Sequence, residues 1–216
     1  MQAPQGRVPP LQEAPAQTVS TVRKATEADY WQLISTLARA YYDDPVYCWY
    51  FPDDSRRLQQ LYDVFVLFGA KALFQFEETY VVDGVGGGAL WVPPERWRMC
   101  PFTRTAAVRG LASKLGLRDM VRPLRGLYLL QSRHRPDPPH YYLALVGVEP
   151  GSQGEGVGKA LLQPVLSRCD REGLPAYLEA TTPRARAFGE RNGFVVIGQI
   201  GLRRGPTIWP MWRRPR

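Results

Sequence analysis

The sequence predicts a single α/β domain built on a mixed β-sheet, and three observations predict it. Segments of strand and amphipathic-helix character alternate along the chain in the order β-α-α-β-β-α-β-α-β-α-β-β. One apolar run, Tyr141 to Val148, feeds through a glycine-rich turn into an amphipathic segment, the pattern of a buried strand, a tight loop and a helix N-terminus. The chain has 216 residues, 44% of them hydrophobic, enough for one sizeable core and without a repeat of solenoid length.

Residues 1–20 carry four prolines and four glutamines with few large apolar groups, so they are expected to be a disordered tail ahead of a domain spanning 21–216. Thr21 to Ala25 reads as the first strand. Thr26 is then an N-cap with Glu27 and Asp29 in the first turn, and Leu33, Ile34, Leu37 and Ala38 share one helical face. Pro45 is expected to stop that helix, and a second, buried helix to run from Asp54 or Ser55 to Phe76. Thr79 to Asp83 and Gly88 to Val92 flank a glycine-rich turn and read as a β-hairpin. Short helical patterns follow in the stretch after Trp97, ended by Pro136, Pro138 and Pro139 ahead of the central strand. Beyond the loop, Val157, Leu161, Val165 and Cys169 line one face of a helix that carries Pro164 inside it and ends at Gly173. Ala176 to Ala180 is the next strand, Pro183 to Arg191 a short helix stopped at Asn192-Gly193, and 194–202 with 206–213 a closing antiparallel pair.

The three cysteines, Cys48, Cys100 and Cys169, lie far apart without metal spacing, and the two histidines, His134 and His140, are too few for a histidine-rich zinc site. No metal is expected. The N-terminus lacks an apolar signal core and the most apolar run, Leu61 to Phe76, is broken by Asp63 and Lys71, so a cytoplasmic protein away from the membrane is expected. The net charge is +8, concentrated between Arg96 and Arg135, where ten Lys/Arg residues face the single acid Asp119. No nucleic-acid motif accompanies this charge, so it reads as a solvated face and as attraction for an anionic ligand rather than as a nucleic-acid surface.

The loop sets the chemistry. Alternate glycines at a helix N-terminus aim unsatisfied backbone N–H groups at one point, backed by the helix dipole, which suits a phosphate. The nucleoside-triphosphate loop fails here, because Gln153 stands at its first glycine and Ala160 where a hydroxyl would bind magnesium. The dinucleotide pattern fails because Lys159 occupies its third glycine. What remains is Gln-x-x-Gly-x-Gly, Gln153 to Gly158.

With that loop after Val148-Glu149-Pro150, and with "GLPAYLEATTPRARAFGERNGF" downstream, the chain resembles the GNAT acyl-CoA N-acyltransferases, and among them most the puromycin N-acetyltransferases. The resemblance runs from Thr21 to about Pro215 and is poor over 96–132. It implies a GNAT-like domain, its mostly antiparallel sheet splayed between Tyr141–Val148 and Ala176–Ala180, with helices on both faces. It implies acetyl-CoA as co-substrate, bonded by the main chain of Val146 and Val148. The pyrophosphate would lie on Gln153, Gly154, Glu155, Gly156, Val157, Gly158 and Lys159, with Phe188 beside the cofactor. The N–H of Val148 becomes the donor to the thioester carbonyl. Glu179, a lone carboxylate in an apolar strand, is the candidate base, and Tyr142 joins the catalytic set at the acceptor pocket. The aromatic wall of that pocket is sought among Tyr41, Tyr42, Tyr47, Trp49, Tyr141 and Tyr142, with about half of them expected to be ordinary core.

Two departures fall at the chemistry. The tyrosine that usually protonates the departing thiolate is replaced by Gly189, and a frequent cofactor-contacting asparagine by Ala185. The acid is then dispensable, or the space admits a longer acyl chain, or turnover is weak. The expected acceptor is a primary amine of a small, antibiotic-like molecule. A peptide acceptor and a catalytically weak acyl-CoA-binding module are the alternatives, and the sequence leaves the choice between monomer and homodimer open.

Overall fold

The computed structural model describes residues 21–66, 74–94, 96, 109, 112, 113, 115–134 and 137–216. Its sheet runs β1 (Val22–Lys24), β2 (Thr79–Val82), β3 (Gly87–Val92), β4 (Tyr141–Val148), β5 (Ala176–Ala180), β8 (Thr207–Arg213) and β6 (Val195–Val196), and β7 (Ile200–Gly201) also pairs with β8. Every pairing is antiparallel except that of β4 with β5.

That parallel pairing is short. Its rungs are Tyr141 with Ala176, Tyr142 with Tyr177 and Leu143 with Leu178, after which the strands part. On its other edge β4 stays with β3 as far as Val148 opposite Gly87, but the register shifts between Leu90, opposite Leu145, and Trp91, opposite Leu143. Ala144 is therefore an extra residue. A bulge of this kind bends the strand and re-aims the side chains beyond it. Leu143 packs with one core and Leu145 with the other, although they stand two apart. The bend falls where the rungs to β5 cease, and the splay opens there.

Helices cover both faces, as expected. On one, Leu33, Ile34 and Leu37 of α1 (Tyr30–Ala40) and Leu61 of α3 (Asp54–Val64) pack against Val81, Leu90 and Val92. On the other, Leu161, Leu162 and Val165 of α5 (Val157–Glu172) pack against Ala89, Trp91 and Leu178. Each such side chain taken fully out of water contributes about 1.5–3 kcal/mol. At the start of α1, the Asp29 carboxylate accepts from the N–H and hydroxyl of Thr26, both at 2.8 Å, and pairs with Arg23.

One expectation changes. Pro45 opens a helix rather than only ending one: α2 (Pro45–Tyr50) begins there, with the Asp44 side chain accepting from the N–H of Val46 at 2.9 Å. Proline suits the first helical position, where its missing N–H has no intrahelical partner. The helix expected from Asp54 to Phe76 is described only to Val64, and 67–73 lie outside the described residues. Pro164, expected to kink its helix or cost a hydrogen bond, lies inside α5, which is 16 residues long in all. The tail 1–20, Cys100 and most of the basic stretch before Leu115 also lie outside the described residues, whereas α4 (Leu117–Arg133) takes in the second helical pattern of that stretch. No helix among the described residues is long and apolar enough to cross a membrane.

Candidate active site

The glycine loop joins β4 to α5, and its residues divide by what they require. Gly154 and Gly156 sit at φ of +97° and +85°, a region that side-chain-bearing residues avoid. At Gly158 a Cβ would come 3.3 Å from the ring of Phe188, on α6 (Pro183–Arg191), so that glycine serves close packing. The first helical bond of α5 runs from Ala160 N–H to Gly156 C=O. The N–H groups of Val157, Gly158 and Lys159 therefore precede the helix's own bonding and point out of its positive end.

A cavity of about 1010 Å³ runs from this loop through the splay to the far side of the sheet. Gln153, Gly154, Gly156, Gly158 and Lys159 line its loop end, where Arg184 and Arg191 of α6 add positive charge. Phe188 lines it beside them. Glu155 and Val157 do not line it: the Glu155 side chain faces solvent and Val157 packs toward the α5 core, so of these two only the backbone stays with the loop. The Gln153 side chain donates to the Val148 carbonyl at 3.1 Å and ties the loop to the strand end. Glu149, which accepts from Thr36 at 2.7 Å and from Arg39, ties the same end to α1.

Alternation along β4 sets which main-chain groups reach the splay. Glu149 N–H bonds Gly86 on the β3 side, so the N–H of Val148 turns to the parted edge. At Val146 a side chain meets the main chain that the resemblance assigns to the cofactor. The Tyr41 hydroxyl takes both of its groups, accepting from the N–H at 3.2 Å and donating to the carbonyl at 3.0 Å.

Glu179 stands on β5 one residue past the last rung with β4. Tyr142 donates its hydroxyl to Glu179 Oε2 at 2.7 Å, and His134 Nδ1 lies 4.0 Å from Oε1. The Glu179 side chain is 8% exposed. Burial disfavours its charge more than the Tyr142 and Tyr177 hydroxyls favour it, and the carboxyl's pKa is pushed up to about 7. That is the range a general base at neutral pH requires.

Of the six expected pocket aromatics, Tyr41, Tyr47 and Tyr142 line the cavity. Tyr141 faces the opposite side, because neighbouring residues of a strand alternate, and reaches Glu172 and the α5 core. Tyr42 bonds the Asp54 carbonyl, and Trp49 bonds the Arg204 carbonyl away from the cavity. Tyr50 and Phe51 of the short α2 segment, missed with that helix, take their places. Sequence reasoning also missed His134 in this role, though both histidines had been singled out while testing for zinc. Gly189 is corrected as well. A Cβ there would stand 2.9 Å from Met211 Sδ, so the room left by the missing side chain is filled by β8 and lends no space to a longer acyl chain. Among the described residues no cluster of three His, Cys, Asp or Glu side chains could hold a metal ion.

A central strand parted from its parallel neighbour, with a glycine-loop helix N-terminus at the opening, is the arrangement that the resemblance to acyl-CoA N-acyltransferases implies. The Acetyltransferase (GNAT) family matches residues 121–194, which include β4, the loop, α5, β5 and α6. An uncharacterised N-acetyltransferase of Schizosaccharomyces pombe is 28% identical over 199 residues, 87% of this chain and 80% of that one. A 5-NmdU N-acetyltransferase of Pseudomonas phage PaMx11 is 28% identical over 89 residues, 41% of this chain and 62% of the phage protein. Among solved structures, a Corynebacterium glutamicum protein described as a histone acetyltransferase and related acetyltransferase superposes with a TM-score of 0.65. It is 25% identical, and the match covers 91% of this chain and 97% of that one. The chain is an acyltransferase enzyme, similar across its site region to acetyltransferases of the GNAT kind, a fold that uses acetyl-CoA.

Proposed function

We propose that the protein transfers the acetyl group of acetyl-CoA to a primary amine of a small molecule, with Glu179 as the base. One observation carries this reading: a lone carboxyl, buried at the junction of the splayed strands, with its proton affinity raised to the neutral range. An alkyl ammonium has a pKa of about 10 and must lose a proton before its nitrogen can attack, and a nearby carboxylate with raised basicity takes it.

The residues present fit the co-substrate. The N–H groups of Val157, Gly158 and Lys159 and the Lys159 ammonium suit the pyrophosphate, with Phe188 packed behind them. Acetyl-CoA supplies an acetyl group already activated as a thioester. The Val148 N–H, turned into the splay, serves as donor to the carbonyl oxygen as negative charge develops there, a role in which one donor is worth about 2.7–4 kcal/mol. With Gly189 packed on Met211, no tyrosine of α6 protonates the thiolate. Thiols have a pKa of about 8.5, low enough for departure without a dedicated acid, with water supplying the proton.

The far end of the cavity supports an acceptor with an aromatic or apolar body. Tyr47, Tyr50 and Phe51 form one wall and Leu127, Leu130 and Ile208 another, and Asp43 also lines the cavity, where its carboxylate suits a cation. This suits the resemblance to the puromycin N-acetyltransferases and an antibiotic-like amine. The likeness to the Corynebacterium protein favours a second acceptor, a peptide amine. A thiol-release assay with acetyl-CoA, arylalkylamines, puromycin and lysine-bearing peptides decides between them. Turnover confined to the small amines is expected. Turnover confined to peptides overturns the acceptor class, and thermal stabilisation by CoA with no turnover on any amine would leave a binding module in place of an enzyme.

A further inference from the structure

The two histidines of the chain meet beneath Glu179, and their hydrogen bonds fix where their protons sit. His134 ends α4 and His140 precedes β4, and both side chains are buried, the residues being 9% and 3% exposed. Their Nε2 atoms are 3.2 Å apart, and His140 Nδ1 lies 2.8 Å from the Pro138 carbonyl. A carbonyl only accepts, so His140 Nδ1 carries a proton and donates it there. In the neutral ring His140 Nε2 is then an acceptor, and the contact between the rings requires the proton on His134 Nε2. His134 Nδ1 is left unprotonated, with its lone pair toward Glu179 Oε1 at 4.0 Å.

We propose that the Pro138 carbonyl, His140 and His134 form an anchored hydrogen-bond chain that holds His134 as the Nε2–H tautomer, so that a lone pair and not an N–H faces Glu179. The His pair is thereby the positioning device of the base. It rests on the reading of Glu179 as that base. Two unprotonated acceptors held face to face repel, and a proton on Oε1 turns the repulsion into attraction, so the chain raises the carboxyl's affinity for the proton it must collect. The other tautomer would place a donor there and favour the carboxylate.

The surroundings support neutral rings. Burial, and for His134 its neighbour His140, hold both histidines below their ordinary range, His134 at about 4. The titratable groups facing the cluster among the described residues are Tyr142 on β4, Tyr177 on β5, Tyr50 on α2 and Asp137 beside His140. Tyr142 donates to Oε2 of Glu179, Oε1 is the oxygen 4.0 Å from His134 Nδ1, and the buried Tyr177 hydroxyl also favours the charged carboxyl. The rings of Tyr177 and Trp212 pack His134 and His140 in place, at centroid separations of 4.8 Å and 4.9 Å.

Nuclear magnetic resonance of the whole protein tests this without an acceptor. In ¹⁵N-histidine spectra at pH 8, His134 is expected to be protonated at Nε2 and His140 at Nδ1. In a ¹³C-glutamate titration, His140→Phe is expected to lower the Glu179 midpoint by about one pH unit, because His134 can then turn a donor toward it. His140→Gln, whose amide oxygen can accept from His134 Nε2–H, should restore the parent midpoint. His134 protonated at Nδ1 in the parent, or a midpoint unmoved in His140→Phe, overturns the inference. Should His140→Phe not fold, the parent tautomer spectrum still decides. Undiminished turnover in Glu179→Gln would remove the base itself, and the inference with it, through a signal separate from both titrations.

Discussion

The Tyr142 hydroxyl meets Oε2 of Glu179 at 2.7 Å just where β4 and β5 lose their last shared rung. The donor is on one arm of the splay and the acceptor on the other, so the bond spans the floor of the cleft. It favours the charged carboxyl, in opposition to the burial that disfavours it. Tyr142→Phe removes the favouring contact and keeps the ring. The Glu179 pKa should then rise from about 7 by roughly one unit, and the acid limb of the kcat/KM profile should move upward with it. A limb that stays in place, or moves down, would show that Glu179 does not govern it.

Glu179 also links stability to pH, with a sign that can be worked out. Its pKa is about 7 folded against 4.5 for an ordinary glutamate. Between those values the folded protein holds a proton that the unfolded chain has released, so this group's contribution falls as pH rises, by about 3 kcal/mol in all. His134 works the other way. Held at about 4 against 6.5, it contributes stability that grows as pH rises through that interval. The difference between parent and Glu179→Gln isolates the glutamate. The variant should gain several degrees of Tm relative to the parent on going from pH 5 to pH 8, while turnover falls by about 10²–10⁴. A Tm difference independent of pH contradicts the linkage.

Gly189 is where a tyrosine would stand in the related acyltransferases, and restoring it is expected to harm the fold rather than help the chemistry. Its Cβ would press on Met211 Sδ at 2.9 Å and Cε at 3.0 Å, with Met211 wholly buried. Overpacking of this kind costs about 1–3 kcal/mol. Gly189→Tyr should lower Tm with no gain in turnover, and Met211→Ala in the same chain should recover part of the loss. A severalfold rise in turnover would mean that the ring reaches the cleft after all.

Much of this site was legible because its signals are local. The order of elements, the glycines that need positive φ, the helix N-terminus and the lone glutamate of β5 all follow from neighbours in sequence. The bulge at Ala144 was not legible: Tyr141 to Val148 reads as an uninterrupted strand, and only its register on β3 reveals the extra residue. Nor was the fate of Tyr141 and Tyr142, which alternation sends to opposite faces but does not say which. The histidine contact joins a helix end to a strand start around three prolines, and no periodicity encodes it. Pro45 misled because proline ends one helix and begins another by the same property, its missing N–H.

Tyr41 supplies the last prediction. Its hydroxyl satisfies both the N–H and the carbonyl of Val146, on the parted edge where the resemblance places the pantetheine arm of the co-substrate. Cofactor and tyrosine therefore compete for one pair of main-chain groups. Tyr41→Phe removes the competitor and retains the ring that packs on Tyr47 and Phe65. Without a bound partner the variant leaves those groups less well satisfied and should lose about 1 kcal/mol of stability. With acetyl-CoA bound, the pantetheine amides restore the bonds and no tyrosine need be displaced, so affinity should rise severalfold. Calorimetric titration alongside thermal melts reads both quantities. Lower stability with tighter binding is the expected pair, whereas weaker binding would mean that Tyr41 holds the β4 edge in the shape the cofactor needs.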